Sequence, residues 1–389
     1  MSTLLLIIIY AVFIGLGLPD SVFGSAWPAI YPDIGASISH ANYVTMLISL
    51  STVLASVFST KLINKFGVGL VTAVSVCLTA IALLGFVFAT SIWWFCYSAI
   101  PLGIGAGAID SALNNYVATH YKPKHMNFLH GFYGVGVSLS PFIMSFALAK
   151  NNDWSLGFEI IFYIQLFLAL ISCLALPLWK KTSKKQESEQ TNPKTLTLRE
   201  MLKMPAVTTS WIVYFCSIGL EFTCGIWGCT FLVEAELLSE STAAEILTFY
   251  YLGITISRLI SGVITSFLSQ KKLVYIGYGI VAIALVSLFL PLPPLAKGVS
   301  LFLIGFGNGP TFPNLAYLTP VYFGKERSQS VFGTQMATCN LGILIMPPIF
   351  GLIADFVSIK LFPIFLSVLY VLMVIFTIIY HKLAKKTIK

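Results

Sequence analysis

The chain has 389 residues, of which 57% are hydrophobic and only 10% are charged. A soluble domain carries roughly a quarter of charged residues, so this composition excludes an ordinary soluble protein and indicates a polytopic membrane protein. The net charge of +8 does not indicate nucleic-acid binding, because Lys and Arg lie in short loops between apolar runs, as in cytoplasmic loops of membrane proteins.

The apolar runs predict an all-α membrane protein with twelve transmembrane helices, since each span needs about 20 residues. The N-terminus has no basic region and no cleavage site, so it is predicted to be the first span rather than a signal peptide. The predicted spans are 3–31, 42–63, 68–90, 92–119, 126–149, 156–179, 205–233, 242–268, 273–292, 295–323, 328–356 and 360–381. The one long polar segment divides the chain into an N-terminal six-helix bundle (1–179), a cytoplasmic linker (180–204) and a C-terminal six-helix bundle (205–389).

Basic residues are concentrated on one side of the predicted membrane. That side receives Lys61, Lys65, Lys122, Lys124, the linker, Lys271, Lys272, Lys325, Arg327 and the C-terminal tail. The other side receives Lys150, Lys297 and Lys360 together with the acids Glu234, Glu236, Glu240 and Glu245. The positive-inside rule therefore predicts a multi-pass protein of the inner or plasma membrane, with both termini in the cytoplasm. We expect a monomer embedded in the lipid bilayer.

The two halves repeat at an offset of 202 residues. Three glycines of span four, at 103, 105 and 107, correspond to glycines 305, 307 and 309, and Gly17 and Gly131 correspond to Gly219 and Gly333. Two repeats of six spans in the same orientation are typical of transporters whose substrate site lies between the halves, near the midplane.

Span four carries an acid on a face of small residues. Gly103, Gly107, Asp110 and Asn114 fall at helical spacings of three and four, so they share one face. An acid on such a face should point to the bundle interior or a water-filled cavity, because lipid contact is costly. Removing a carboxylate from water disfavours its charged form, so Asp110 is predicted to bind and release a proton. The alternative is a structural acid that bonds to another helix.

Three further ionisable residues are candidates for proton coupling. Asp20 follows Pro19, which is expected to loosen the helix, although Asp20 can also be a solvated acid near the end of span one. His130 can relay a proton or bind a hydroxyl, or it can simply bridge helices. Glu221 of span seven can join the proton path, or it can pair with Arg258 of span eight as a structural charge.

At this point the sequence resembles the major facilitator superfamily over essentially its whole length. The loop after span two, Thr60-Lys-Leu-Ile-Asn64-Lys65-Phe-Gly67, is similar to the superfamily's Gly-x-Leu-Ala-Asp-Arg-x-Gly signature, with Thr60, Asn64 and Lys65 in place of the glycine, acid and arginine. This departure puts in doubt the usual charge-relay latch at the loop, but not the fold.

Within the superfamily the sequence resembles the fucose/glucose/galactose–proton symporter family. The resemblance rests on Gly17-Leu-Pro-Asp20 with Trp27-Pro28, on the glycine-rich run from Gly105 to Asn114, on His130-Gly-Phe-Tyr133-Gly, and on Gly305 to Asn314. It implies that the membrane acids Asp20 and Asp110 take part in proton coupling and sugar recognition. The family commonly has glutamate where Asp110 stands, which weakens any specific sugar assignment.

Amides and aromatics complete the candidate substrate site. An amide both donates and accepts hydrogen bonds, which suits sugar hydroxyls, but each of these residues can equally hold helices together. Trp27 can stack on a sugar ring or belong to an interfacial aromatic belt. The predicted substrate-binding residues are Asn114, Asn115, Trp27, Tyr133, Gln165, Asn308, Asn314, Gln335 and Asn340.

The sequence therefore predicts a proton-coupled secondary transporter that takes up a small polar solute, best a sugar, by alternating access. A proton-driven exporter of a small amphipathic compound is the alternative within transport, and a non-transporting sensor or scaffold is the alternative class. No nucleotide signature, catalytic array or metal cluster with credible spacing is found, so neither an enzyme nor a cofactor or metal is predicted. The seven cysteines are interpreted as apolar packing residues.

Overall fold

The computed structural model describes residues 3–121, 123–151, 153–180, 196–265 and 267–387. Most of the predicted linker and the last basic residue, Lys389, therefore lie outside the described residues. The helices are α1 (Thr3–Asp33), α2 (Ala41–Phe66), α3 (Val68–Val87), α4 (Ile92–His120), α5 (Pro123–Asn151), α6 (Trp154–Leu174), α7 (Leu176–Lys180), α8 (Leu198–Leu202), α9 (Pro205–Glu234), α10 (Glu240–Ile264), α11 (Gln270–Leu288), α12 (Pro294–Asn308), α13 (Thr311–Phe323), α14 (Lys325–Ile353) and α15 (Phe362–Thr387).

The long helices match the predicted spans to within one or two turns, and the all-helical fold class is confirmed. Within the described residues, ten helical stretches are long and apolar enough to cross a membrane. The tenth stretch, Ser330–Lys385, runs through both α14 and α15, while α12 and α13 are each too short to qualify. The helices are therefore consistent with twelve spans.

Proline has different effects in two of the predicted spans. Pro19 lies inside α1, and the helix continues through it without interruption. The predicted tenth span is instead broken at Gly309 and Pro310, between α12 and α13. A proline at this position lacks a backbone donor, and its ring clashes with the preceding turn, which explains why one predicted helix becomes two.

The described residues form two compact units. The first comprises residues 3–180 together with Gly228–Tyr251, and the second comprises the remaining described residues from 196 to 387. The first unit thus includes the end of α9 and the beginning of α10. In the first unit α1 packs on α5, α2 on α4, and α3 on both α4 and α6; in the second, α11 packs on α12 and α13, and α13 on α14. The domain boundaries predicted around the linker stay a prediction.

Each unit has a close helix contact at a glycine, and the two contacts are related by the sequence offset. A methyl group on Gly105 would lie 2.6 Å from the carbonyl oxygen of Ser75, and one on Gly307 would lie 2.5 Å from that of Gly277. The offset of 202 residues that relates the glycines also relates their partners. Helices approach this closely only where small residues remove the side chain between them. Each unit has therefore kept the same α3–α4-type contact.

The membrane interface is marked by aromatic side chains at the start of α4. Trp93, Trp94 and Tyr97 are all exposed, at 63%, 49% and 70% of their surface. Tryptophan and tyrosine are enriched at the headgroup level of a bilayer. Their exposure on an apolar helix is that expected of an aromatic belt.

Candidate functional site

Asp20 is the one exposed residue in the middle of α1. Every other residue from Gly15 to Ile30 is buried, so this part of the helix is surrounded by protein rather than by acyl chains. A charged side chain that reaches water from such a position must open into an internal cleft. The structure therefore exposes Asp20 within a stretch of α1 that protein otherwise surrounds.

Helix α5 supplies the partner of Asp20. The Tyr133 hydroxyl donates a hydrogen bond of 2.7 Å to Asp20 Oδ2. The two side chains meet because Gly17 and Gly136 let the helices nearly touch: a methyl group on Gly17 would lie 2.4 Å from the carbonyl oxygen of Tyr133. The same two glycines that permit the helix contact thus fix the position of the acid.

Asp110 is exposed on α4, between the buried Ile109 and the half-buried Ser111. The Asn114 side chain, one turn later, donates a 2.8 Å hydrogen bond to Asp110 Oδ1. Gly103 and Gly107 of the same face pack against α2, where added methyl groups would lie 2.3 and 2.2 Å from backbone oxygens. The predicted shared face is therefore present, with its glycines in the helix contact and its acid in the cleft.

The two acids have similar surroundings in the first unit. Among the described residues, each accepts a hydrogen bond from a neutral side chain, Asp20 from Tyr133 and Asp110 from Asn114. A carboxylate with a neutral donor is not held in its charged form by a neighbouring cation.

His130 lies on α5 one turn before Tyr133, and its side chain is exposed. Its ring meets Phe13 of α1 edge to face, with the centroids 6.2 Å apart. The imidazole of His130 therefore lies at the contact between α1 and α5. It is on α5, the helix that also carries Tyr133, the hydrogen-bond partner of Asp20.

In the second unit Glu221 and Arg258 form an ion pair. Arg258 Nη2 lies 2.9 and 3.0 Å from the two carboxylate oxygens of Glu221, and Arg258 Nε donates to the carbonyl oxygen of Gly309 at 3.2 Å. The pairing that the sequence left open is present, and it holds α9 and α10 to the break between α12 and α13. A role of Glu221 in proton coupling stays a prediction.

Most of the predicted substrate amides are buried within helix contacts. Asn308 bonds to Ser217, Asn314 to Ser261, Gln335 to Ser210, and Gln165 to Thr79. All four amides are no more than 3% exposed. The structure thus shows them bridging helices, which the sequence had left as their alternative role.

The remaining predicted contacts are dispersed. Trp27 is fully buried and donates to the carbonyl oxygen of Ile38 at 2.9 Å, in contact with Phe23 and Tyr31. Asn340 is exposed on α14, and the side chain of Asn115 lies outside the part of the chain that the structure describes. Of the predicted substrate side chains that the structure describes, Asn114 and Tyr133 hydrogen-bond to the acids.

Sequence reasoning missed two contacts that join helices of the first unit. The Tyr10 hydroxyl lies 2.7 Å from His125 Nδ1, which ties α1 to α5. The Tyr31 hydroxyl donates to the Glu234 carboxylate, which ties the end of α1 to the end of α9. A tyrosine and a carboxylate 203 residues apart leave no signal in a single sequence.

An all-helical membrane protein with water-accessible acids inside its bundle belongs to the class of multi-pass membrane transporters rather than enzymes. The chain is a member of the Major Facilitator Superfamily, whose sequence model matches residues 9–339 and 230–389.

Two curated proteins are similar to the chain at low identity. "Bypass of stop codon protein 6" of Saccharomyces cerevisiae is 24% identical over 96% of this chain and 81% of its own length. The uncharacterised transporter YfkL of Bacillus subtilis, of the same superfamily, is 22% identical over 89% of this chain and 87% of its own.

Solved structures share the fold. The nucleoside transporter NupG superposes with a TM-score of 0.74 at 15% identity, over 97% of this chain and 98% of its own. A bacterial homologue of the human lysosomal transporter Spinster, in an inward-facing unoccupied conformation, gives 0.72 at 14% identity over 100% and 98%.

Proposed function

We propose that the chain is a proton-coupled secondary transporter that takes up a small polar solute, in first place a sugar, by alternating access. The single observation that carries this proposal is the pair of exposed carboxylates Asp20 and Asp110, the first in an otherwise buried stretch of α1 and the second among buried and half-buried residues of α4. Ionisable groups inside a membrane bundle are costly, and a scaffold or sensor has no use for two of them in one cleft.

The cleft has groups for both protons and hydroxyls. Asp20 and Asp110 carry the proton, and the side chains of Tyr133 and Asn114, which already hydrogen-bond to the acids, remain oriented toward solute hydroxyls. The resemblance to fucose/glucose/galactose–proton symporters supports a sugar. The proposal includes an inner or plasma membrane location, cytoplasmic termini and a monomer.

The test is proton flux in liposomes that contain the purified protein and a trapped pH-sensitive dye. D-galactose, L-fucose, D-glucose and uridine are added outside in turn; uridine is included because a nucleoside transporter shares the fold. Symport is expected to acidify the interior when the correct probe is added. Alkalinisation of the interior would instead favour proton-driven export.

The variant Asp110→Asn is expected to abolish accumulation driven by a pH gradient while it spares counterflow of the same probe. The matched control is Asp355→Asn, an exposed aspartate of the second unit, which should leave both measurements unchanged. Unchanged accumulation by Asp110→Asn would remove Asp110 from the mechanism.

A further inference from the structure

The contact between α1 and α5 carries more proton-binding groups than the acid site needs. At one end the Tyr10 hydroxyl lies 2.7 Å from His125 Nδ1. In the middle His130 packs on Phe13, and at the other end Tyr133 donates to Asp20. We call this the α1–α5 seam, and it comprises Tyr10, Phe13, Asp20, His125, His130 and Tyr133.

The seam runs in one direction along both helices. His130 and Tyr133 are three residues apart on α5, so their side chains are neighbours on the helix surface. Both His130 and Asp20 are exposed, and Tyr133 is half-buried between them. Water in the cleft can therefore join the carboxylate to the imidazole, and the line continues toward the end of the unit where α1 begins.

The sequence repeat provides an internal comparison. The offset of 202 residues carries Asp20, His130 and Tyr133 to Phe222, Phe332 and Gln335, none of which binds a proton near neutral pH. Phe332 is exposed on its helix, as His130 is. The second unit thus shows that the repeat folds without ionisable side chains at these places, so their presence in the first unit is not explained by packing.

We propose that Asp20 exchanges its proton with solvent along the α1–α5 seam, through His130 and then the Tyr10–His125 pair. This inference rests on the proposed function, since it assumes that Asp20 takes up a proton. Imidazole gains and loses protons near neutral pH, where free protons are scarce. A carboxylate in a narrow cleft therefore gains protons faster from a neighbouring imidazole than from bulk water.

Each step conserves atoms and charge. The Asp20 O–H bond breaks and its proton passes through water to the unprotonated ring nitrogen of His130, which leaves a carboxylate and an imidazolium. The imidazolium then passes a proton through water to the Tyr10 oxygen as the Tyr10 hydroxyl proton moves to His125 Nδ1. His125 finally releases the proton from Nε2 to solvent, and reversal of these steps loads Asp20.

Titratable groups from other segments of the described chain also lie near the seam. Asp110 of α4 interacts electrostatically with Asp20, and Tyr121 meets the His125 ring edge to face, with the centroids 5.6 Å apart. The aromatic rings of Phe128 and Phe132 pack around the Tyr10–His125 end.

The test follows the protonation of Asp20 by infrared spectroscopy after a rapid drop in pH, on detergent-purified protein without any solute. The Asp20 band is the part of the carboxyl C=O signal that is missing in Asp20→Asn. His130→Phe places the residue found at Phe332 into the seam and should slow the appearance of the band about a hundredfold, the lower end of the range for a lost acid–base group. Tyr10→Phe should slow it less, and the control His40→Phe, outside the seam, should not change it.

Imidazole added to the medium should restore the rate of His130→Phe, because it replaces the missing proton carrier. If Asp20 titrates at the normal rate in both seam variants, the seam proposal is refuted and the proposed function stands. If imidazole fails to restore the rate in His130→Phe and in the second variant His130→Gln, the residue acts structurally and the seam is again refuted. If no carboxyl signal is lost in Asp20→Asn, the assignment of Asp20 in the proposed function fails as well.

Discussion

Replacing Gly136 by alanine should separate α1 from α5. The added methyl group would lie 2.1 Å from the carbonyl oxygen of Ile14, whereas real contacts of this kind essentially never fall below 3.0 Å. The obstacle is backbone, so no side chain can rotate away and the helices must move apart by roughly 1 Å. Overpacking of this kind costs about 1–3 kcal/mol, and the better helix propensity of alanine offsets about 1 kcal/mol.

The variant Gly136→Ala should therefore lose up to about 2 kcal/mol of stability and melt a few degrees lower. A dye that fluoresces on reaction with thiols can follow unfolding, since five of the seven free cysteines are buried. The matched control is Gly279→Ala on α11, where an added methyl group has nothing within 4 Å. That control should gain about 0.5–1 kcal/mol. A melting temperature for Gly136→Ala at or above that of the wild type would refute the close α1–α5 contact.

Three other changes separate helix bridging from function. Tyr31→Phe removes the hydrogen bond from α1 to α9. Cys229, which is fully buried, should then react with maleimide at least several-fold faster. An unchanged rate would show that the bond does not hold these helix ends together. Gln165→Met should lower the melting temperature by the loss of about 1 kcal/mol for one hydrogen bond, with no change in transport KM, and a raised KM would show substrate contact. The single variant Glu221→Gln should melt at a lower temperature than the double variant Glu221→Gln with Arg258→Ser, because the single change leaves a half-buried guanidinium without its carboxylate. A lower melting temperature for the double variant in the same thermal assay would contradict this.

The helices and the repeat could be predicted from the sequence because both depend on local patterns. Apolar runs of about 20 residues define spans whatever the rest of the chain does, and glycines at a fixed offset mark equivalent helix contacts. The break at Pro310 was missed because proline within a membrane span is often tolerated, and Pro19 in fact leaves α1 continuous.

The acids of the site could also be predicted, because a carboxylate in an apolar run has few places to go. The amides could not be placed, since Asn and Gln serve helix contacts and substrate equally well. Asn114 lies beside Asp110, whereas Asn314 bonds to Ser261 within a helix contact. Partners from distant segments, such as Tyr10 and His125, depend on the helix crossing angle, which one sequence does not contain.

The two repeats show how one helix contact can be used in two ways. In the first unit Ser56 donates to the carbonyl oxygen of Gly107, and at the equivalent place in the second unit Arg258 donates to that of Gly309. The contact is the same, but Arg258 adds a positive charge that the nearby Glu221 balances. Among the described residues, Glu221 of the second unit has a cationic partner, whereas Asp20 and Asp110 of the first unit accept hydrogen bonds from neutral side chains. Because a carboxylate paired with a cation resists protonation more than one with neutral donors, we assign the proposed proton coupling to the first unit.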